Sequence, residues 1–108
     1  MKNSQLTQGL ERRLMYLENK NGLIEGAKAR IGWVTFSKTG KTIYYHGRSF
    51  SVMSGGGISG NFCSDMGEEF WISGVKKRGS NGHPAERTIT PMVDDDAKVE
   101  YERLRLGA

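Results

Sequence analysis

The stretch from Trp33 to Trp71 constrains the fold more than any other feature. It holds eight of the ten aromatic residues, set in short runs of β-formers divided by turns that carry glycine. Arg30 to Phe36 alternates, with Ile31, Trp33 and Thr35 on one side and Val34 and Phe36 on the other. Ser37-Lys38-Thr39-Gly40 makes a turn, and Lys41 to His46 follows with Ile43, Tyr44 and Tyr45, so the pair reads as a hairpin. Gly47 breaks the run, and Ser49 to Met53 alternates again with Phe50 and Val52 on one face. A second hairpin joins Asn61–Cys63 to Glu69–Ser73 through Ser64-Asp65-Met66-Gly67. Short strands at this spacing, with glycine at the corners, predict a mainly-β fold: a small SH3-like barrel or a strongly bent antiparallel sheet of about six strands. Trp33 and Phe70 are expected in its core, while Tyr44 and Trp71 face opposite their apolar neighbours.

The flanks are less regular. Leu6, Leu10, Leu14 and Leu17 recur at helical spacing, yet Leu14-Met15-Tyr16-Leu17 is also a short apolar run. The reading divides them: residues 1–13 form an arm or short helix over Leu6 to Arg12, and residues 14–108 form one β-rich domain whose first strand is Leu14 to Glu18. Asn19 to Lys28 reads as a loop, and Ser54–Gly60 and Gly74–Arg87 as two flexible stretches. A last strand is expected at Thr88–Thr90, with Pro91 closing the sheet. Asp94-Asp95-Asp96 then supplies an N-cap and first-turn anions for a C-terminal helix over 94–106, which Gly107 stops.

A chain of 108 residues is one domain's worth and cannot hold a nucleotide domain plus a substrate domain. One cysteine, Cys63, permits no internal disulfide, nothing at the start reads as a signal peptide, and no apolar run is long enough to span a membrane. A cytoplasmic protein is the expectation. The net charge of +4 is unevenly placed: residues 1–53 carry +6, residues 54–93 balance, and residues 94–108 carry −2. A basic front and an acidic tail allow a polyanionic partner.

Motifs for chemistry are thin. Gly55-Gly56-Gly57-Ile58-Ser59-Gly60 satisfies G-x-G-x-x-G, but a strand rather than a helix follows, so no pyrophosphate site forms there. Gly40-Lys41-Thr42 resembles the end of a phosphate loop, yet Thr35 stands where the first glycine belongs. Cys63, His46 and His83 lack zinc spacing, and capping explains Asp94–Asp96 more simply than a cation does, so no metal and no cofactor is expected. Glu68 and Glu69 are strand neighbours pointing to opposite faces and make no acid–base pair. No activated nucleophile is legible, and the chain reads as a binding module, not an enzyme.

The surviving polar feature is basic residues beside aromatics. Lys38 and Lys41 flank the first hairpin tip, Arg48 sits at the next corner, and Lys76-Lys77-Arg78 opens the long loop. If these loops share a rim, the cations would meet phosphates while Tyr44 and Trp71 stack bases, which makes single-stranded nucleic acid the expected partner. The alternative is a protein or peptide module that accepts a strand at an open sheet edge, or that pairs with a second copy through the N-terminal arm.

Two blocks carry a resemblance. Residues Ala29 to Tyr45 (ARIGWVTFSKTGKTIYY) and Gly67 to Gly74 (GEEFWISG) resemble those of a family of small, uncharacterised bacterial proteins about a hundred residues long. Tyr16 to Lys20 and Asp94 to Tyr101 fit the same pattern, so the resemblance covers most of the chain from Met15 to Tyr101. It supports a strand at Met15–Glu18 and implies no catalytic residue. Some relatives carry the label 1-deoxy-D-xylulose-5-phosphate synthase, which is refused on physical grounds. A thiamine-diphosphate enzyme needs large α/β domains that a hairpin-rich chain of this size does not supply.

Overall fold

The computed structural model describes residues 11–53, 60–75 and 90–106. Six strands follow one another in a meander: β1 (Arg12–Asn19), β2 (Ala29–Phe36), β3 (Thr42–Tyr45), β4 (Arg48–Val52), β5 (Asn61–Ser64) and β6 (Glu69–Gly74). Each pairs antiparallel with the next, and β6 returns to β1, with Leu17 opposite Ile72. The result is a closed six-stranded antiparallel barrel with one added strand, β7 (Met92–Val93), a 3₁₀ turn at Asp95–Ala97 and a single helix, α1 (Lys98–Leu106). The expected mainly-β barrel with a C-terminal helix is what forms.

The alternation in the sequence decides which side chains enter the barrel. Met15 and Leu17 of β1, Val34 of β2, Ile43 and Tyr45 of β3, Phe50 of β4, Phe62 of β5, and Phe70 and Ile72 of β6 form one buried cluster. Phe50 and Phe70 meet edge to face at 4.8 Å, a contact worth about 0.5–1.5 kcal/mol beyond the area it buries. Part of the outward set on β1 and β2 is apolar too: Tyr16, Ala29 and Ile31 are fully buried beneath Leu14, Trp71, Val75, Val93 and Tyr101 of α1, and the Tyr16 hydroxyl donates to the buried Glu18 at 2.8 Å. Both faces of β1 and β2 are therefore covered, which explains why Leu14 to Leu17 reads as an unbroken apolar run.

Strand β2 pairs with β1 along nearly its whole length, but its other edge is divided. Thr35 and Phe36 pair with β3, whereas Arg30 and Ile31 pair in parallel with β7. Gly32 lies between the two pairings. A Cβ there would stand 2.7 Å from the Tyr45 ring and 3.0 Å from the Asp94 carboxyl carbon, so the absence of a side chain lets both groups lie on the strand.

Four expectations need correction. Arg12 and Arg13 belong to β1, paired with Thr35 and Val34, rather than to an arm or helix. Trp33 lies outside both buried clusters: it is half-buried on the outer wall, with the Arg12 guanidinium 4.1 Å from its ring centre and its indole N–H donated to the Asp96 carbonyl at 3.0 Å. Pro91 does not close the sheet, because β7 follows it, and Thr90 is not strand. Asp94 occupies the N-cap position of the 3₁₀ turn but makes no capping hydrogen bond, because its carboxylate is turned toward β2 and β3. The rest of the strand expected before Pro91 (residues 88–89), the first ten residues of the expected arm, and most of the two expected flexible stretches (residues 54–59 and 76–87) lie outside the described residues.

Candidate functional site

The two ends of the barrel differ in chemistry. At one end lie the β3–β4 turn, the β5–β6 turn and the end of β1, and this end is sealed by polar side chains. Arg48 lies 5.3 Å from the Phe50 ring centre and 5.9 Å from that of Phe70, closing the aromatic interior. Its guanidinium donates to Glu68 at 3.0 Å and approaches Asp65 at 3.4 Å. Asn19, buried, donates to the Leu23 carbonyl at 2.9 Å and to Glu68 at 3.1 Å. The Arg48 hydrogen bond, and then that of Asn19, hold the Glu68 carboxyl below its ordinary range.

Beside this end is a charged cluster that the sequence did not announce. Two tight turns, Glu25-Gly26 and His46-Gly47, have positive φ at both central residues: 47° and 84° in the first, 51° and 77° in the second. Two-residue hairpin loops of this kind match the twist of the flanking strands, and glycine or asparagine usually takes such positions. Here the non-glycine residues of the two turns touch: His46 Nδ1 lies 2.6 Å from a Glu25 carboxylate oxygen. The other ring nitrogen, Nε2, lies 3.1 Å from Asp94, and the imidazole stacks on Tyr45 at 3.8 Å between ring centres. Asp94, only 6% exposed, also accepts from the Tyr45 hydroxyl at 2.6 Å and from Arg30 Nε at 2.9 Å. Burial pushes the Tyr45 phenol well above its ordinary range, and its hydrogen bond to Asp94 pushes it further. An open cleft of about 760 Å³ adjoins the cluster, bordered by Met92, Asp95 and Lys98. Among the described residues no group of three or more His, Cys, Asp and Glu side chains is placed to hold a metal ion. Cys63 is half-buried, with its thiol 3.6 Å from the Ser64 carbonyl oxygen.

Among the described residues the opposite end is open and basic. Arg12 and Arg13 begin β1 there, and Lys38 and Lys41 stand exposed on the β2–β3 turn. Strand β6 finishes at the same end, since Gly74 pairs with Met15. Of these four cations Arg13 pairs with Glu11. Within the rim is a well of about 350 Å³ whose walls include Met15, Ile43, Phe62 and Ile72, with Arg13 and Phe36 at its lip. The Arg13 guanidinium lies 5.8 Å from the Phe36 ring centre.

The structure thus brings together part of the expected site. Lys38 and Lys41 share a tip. Arg48 does not join them: four strand steps separate Lys41 from Tyr45, the partner of Arg48, which is roughly 13 Å along the barrel. Its charge is engaged with Glu68 and Asp65, so Arg48 seals the far end instead of meeting a ligand. Tyr44 is half-buried on the outer wall opposite Thr35. Trp71 also faces outward, but its ring packs on the Tyr16–Ile31 cluster and lies under 3 Å from where a Gly60 Cβ would stand, so packing already uses it. Lys76, Lys77 and Arg78 lie outside the described residues. Sequence reasoning missed Arg12, Arg13 and Phe36, and the available signal was that strand alternation continues back through Arg13.

The fold defines the class: a small closed antiparallel barrel, sealed at one end, with one flanking strand and a C-terminal helix. Comparison with protein family models, with curated proteins and with solved structures finds no match for this chain. No helix among the described residues is long and apolar enough to cross a membrane.

Proposed function

We propose that the chain is a non-catalytic binding module that takes single-stranded nucleic acid at the open end of its barrel. The observation that carries this reading is the segregation of charge along the barrel. Among the described residues Arg12, Arg13, Lys38 and Lys41 lie at one end, where Glu11 pairs with Arg13, while Glu25, Asp65, Glu68 and Asp94 lie toward the other together with Arg30 and Arg48, which pair with three of them. Lys38 and Lys41 are exposed, and neither makes an ion pair among the described residues, so both charges stand ready for phosphates. Aromatic surface lies among the cations at Trp33, Phe36 and Tyr44, the combination of charge and stacking that single strands use.

A peptide partner has less to hold. Closure of the barrel removes the free edges to which a strand would add, and β7 offers an edge only two residues long.

The test is fluorescence anisotropy of a labelled single strand of about ten nucleotides, a length within the range of single-domain sites. Each phosphate contact contributes about −0.7 to the slope of log affinity against log salt for single strands. Three or four contacts therefore weaken binding roughly 20- to 50-fold between about 50 and 200 mM salt. Reversing both tip charges, Lys38→Glu with Lys41→Glu, is expected to abolish binding and flatten the salt dependence. Absence of binding at low salt, or a charge-reversed protein that binds as well as the native one, overturns the reading.

A further inference from the structure

The well at the basic end has walls and a rim of different chemistry. Strand alternation turns Arg13, Phe36, Val52 and Gly74 to the same inner face as Met15, Ile43, Phe62 and Ile72, and the register sets Phe36 opposite Ile43, Val52 opposite Phe62 and Gly74 opposite Met15. At Gly74 β6 contributes no side chain: a Cβ there would have no atom within 4 Å. Val52, 46% exposed, borders the opening from β4. The well thus has an apolar floor that its own strands leave unfilled, with Asn61 and Ser73 also in its lining, Arg13 at its lip and Lys38 and Lys41 on the β2–β3 turn that borders it at Gly40. Its volume of about 350 Å³ falls at the small end of the range for small-molecule sites, roughly 300–1,000 Å³.

We propose that this well holds one unpaired nucleobase of a bound strand, a deepening that rests on the nucleic-acid reading. The occupant must combine a flat, largely apolar body with anionic groups beside it, because the floor is apolar and the rim cationic. A nucleotide within a single strand has that composition. Phe36 supplies an aromatic surface at the lip, and Lys38 and Lys41, exposed on the bordering turn, can meet the adjoining phosphates. A base inside a duplex stays stacked and cannot enter, so the well favours single strands over duplexes.

The experiment uses the full chain and two labelled strands of equal phosphate number, one of deoxythymidine and one abasic. Stacking is worth enough per base to give roughly 5- to 150-fold in affinity. The native protein is expected to bind the abasic strand at least about fivefold more weakly. Gly74→Phe, which places a ring in the well and leaves the cations untouched, is expected to weaken the deoxythymidine strand to the abasic level and leave abasic binding unchanged. Val52→Tyr tests the same blockade from β4 should the first variant fail to fold, as judged by circular dichroism. Equal binding of the two strands by the native protein, or no effect of either folded variant, overturns the inference. If both strands then still lose affinity on reversal of Lys38 and Lys41, the nucleic-acid reading survives it. If neither strand binds the native protein, that reading fails as well. Decanoate binding that displaces no strand and is lost in Gly74→Phe would assign the well to an anionic amphiphile and overturn the base.

Discussion

Gly32→Ala adds one methyl group where the structure has no room for it. The new Cβ would stand 2.7 Å from Tyr45 Cε1, 3.0 Å from Asp94 Cγ and closer still to an Asp94 carboxylate oxygen, so at least one group must leave. Tyr45 is held inside the barrel and cannot retreat without disturbing Ile43 and Phe50. Asp94 therefore has to move, and it leaves the Tyr45 hydroxyl without its acceptor and Arg30 without its partner. Overpacking alone costs about 1–3 kcal/mol, and a buried donor left unsatisfied costs about 1–3 kcal/mol more. A loss of about 3 kcal/mol is expected, which lowers Tm by about 12–24 °C in a domain near this size. Two other glycines serve as controls. Gly40 has φ of +76° with no atom within 4 Å of an added Cβ, so Gly40→Ala meets backbone strain alone, about 1–2 kcal/mol. Gly74→Ala meets neither clash nor left-handed backbone and should stay within about 0.5 kcal/mol of the native protein. Urea unfolding followed by tryptophan fluorescence, with thermal melts, ranks the three. A Gly32→Ala protein within about 1 kcal/mol of native, or less damaged than Gly40→Ala, would refute the placement of Asp94 on β2.

Two further outcomes follow from the charged groups. Glu68 has a folded-state pKa below its ordinary value of 4.5, held there first by Arg48, so it contributes stability above that value and loses it as pH falls through the lowered one. Unfolding midpoints measured on descending through that acid window should fall less steeply in Glu68→Gln than in the native protein; equal slopes would show that Arg48 does not hold it. The Glu25–His46 contact predicts a coupling of about 0.5–1 kcal/mol in a double-mutant cycle with Glu25→Gln and His46→Gln, modest because both side chains are near 40% exposed. Strict additivity would remove the two-turn link.

What was legible in the sequence is what depends on period and punctuation. The runs from Arg30 to Trp71 alternate at the strand period and are broken by glycine, so the hairpins, the inward face of Phe70 and the helix after Asp94 could all be read. Trp33 was misplaced for a reason that alternation cannot supply. Its strand is covered on both sides, so neither side is labelled as core, and only the path of the helix decides that Ile31 is buried while Trp33 reaches Asp96. Closure was equally invisible, because Met15 meets Gly74 across 59 positions of chain, and closure decides which loop tips share an end.

The split of the expected basic rim has the same origin. Lys41 and Arg48 are seven positions apart and both border β3, yet a hairpin sends neighbouring corners to opposite ends of a barrel. An antiparallel meander therefore groups its turns by alternate connections. The β2–β3 turn shares an end with the start of β1 and the finish of β6, while the β1–β2, β3–β4 and β5–β6 turns share the other. That parity alone gathers Arg12, Arg13, Lys38 and Lys41, and it also gathers Glu25, His46, Arg48, Asp65 and Glu68, which is where the ion pairs occur. Charges on connections of one parity can neutralise one another, and those described at the other end are cationic apart from Glu11. The basic end is a consequence of that sorting, and a meander shifted by one strand would have mixed the two sets.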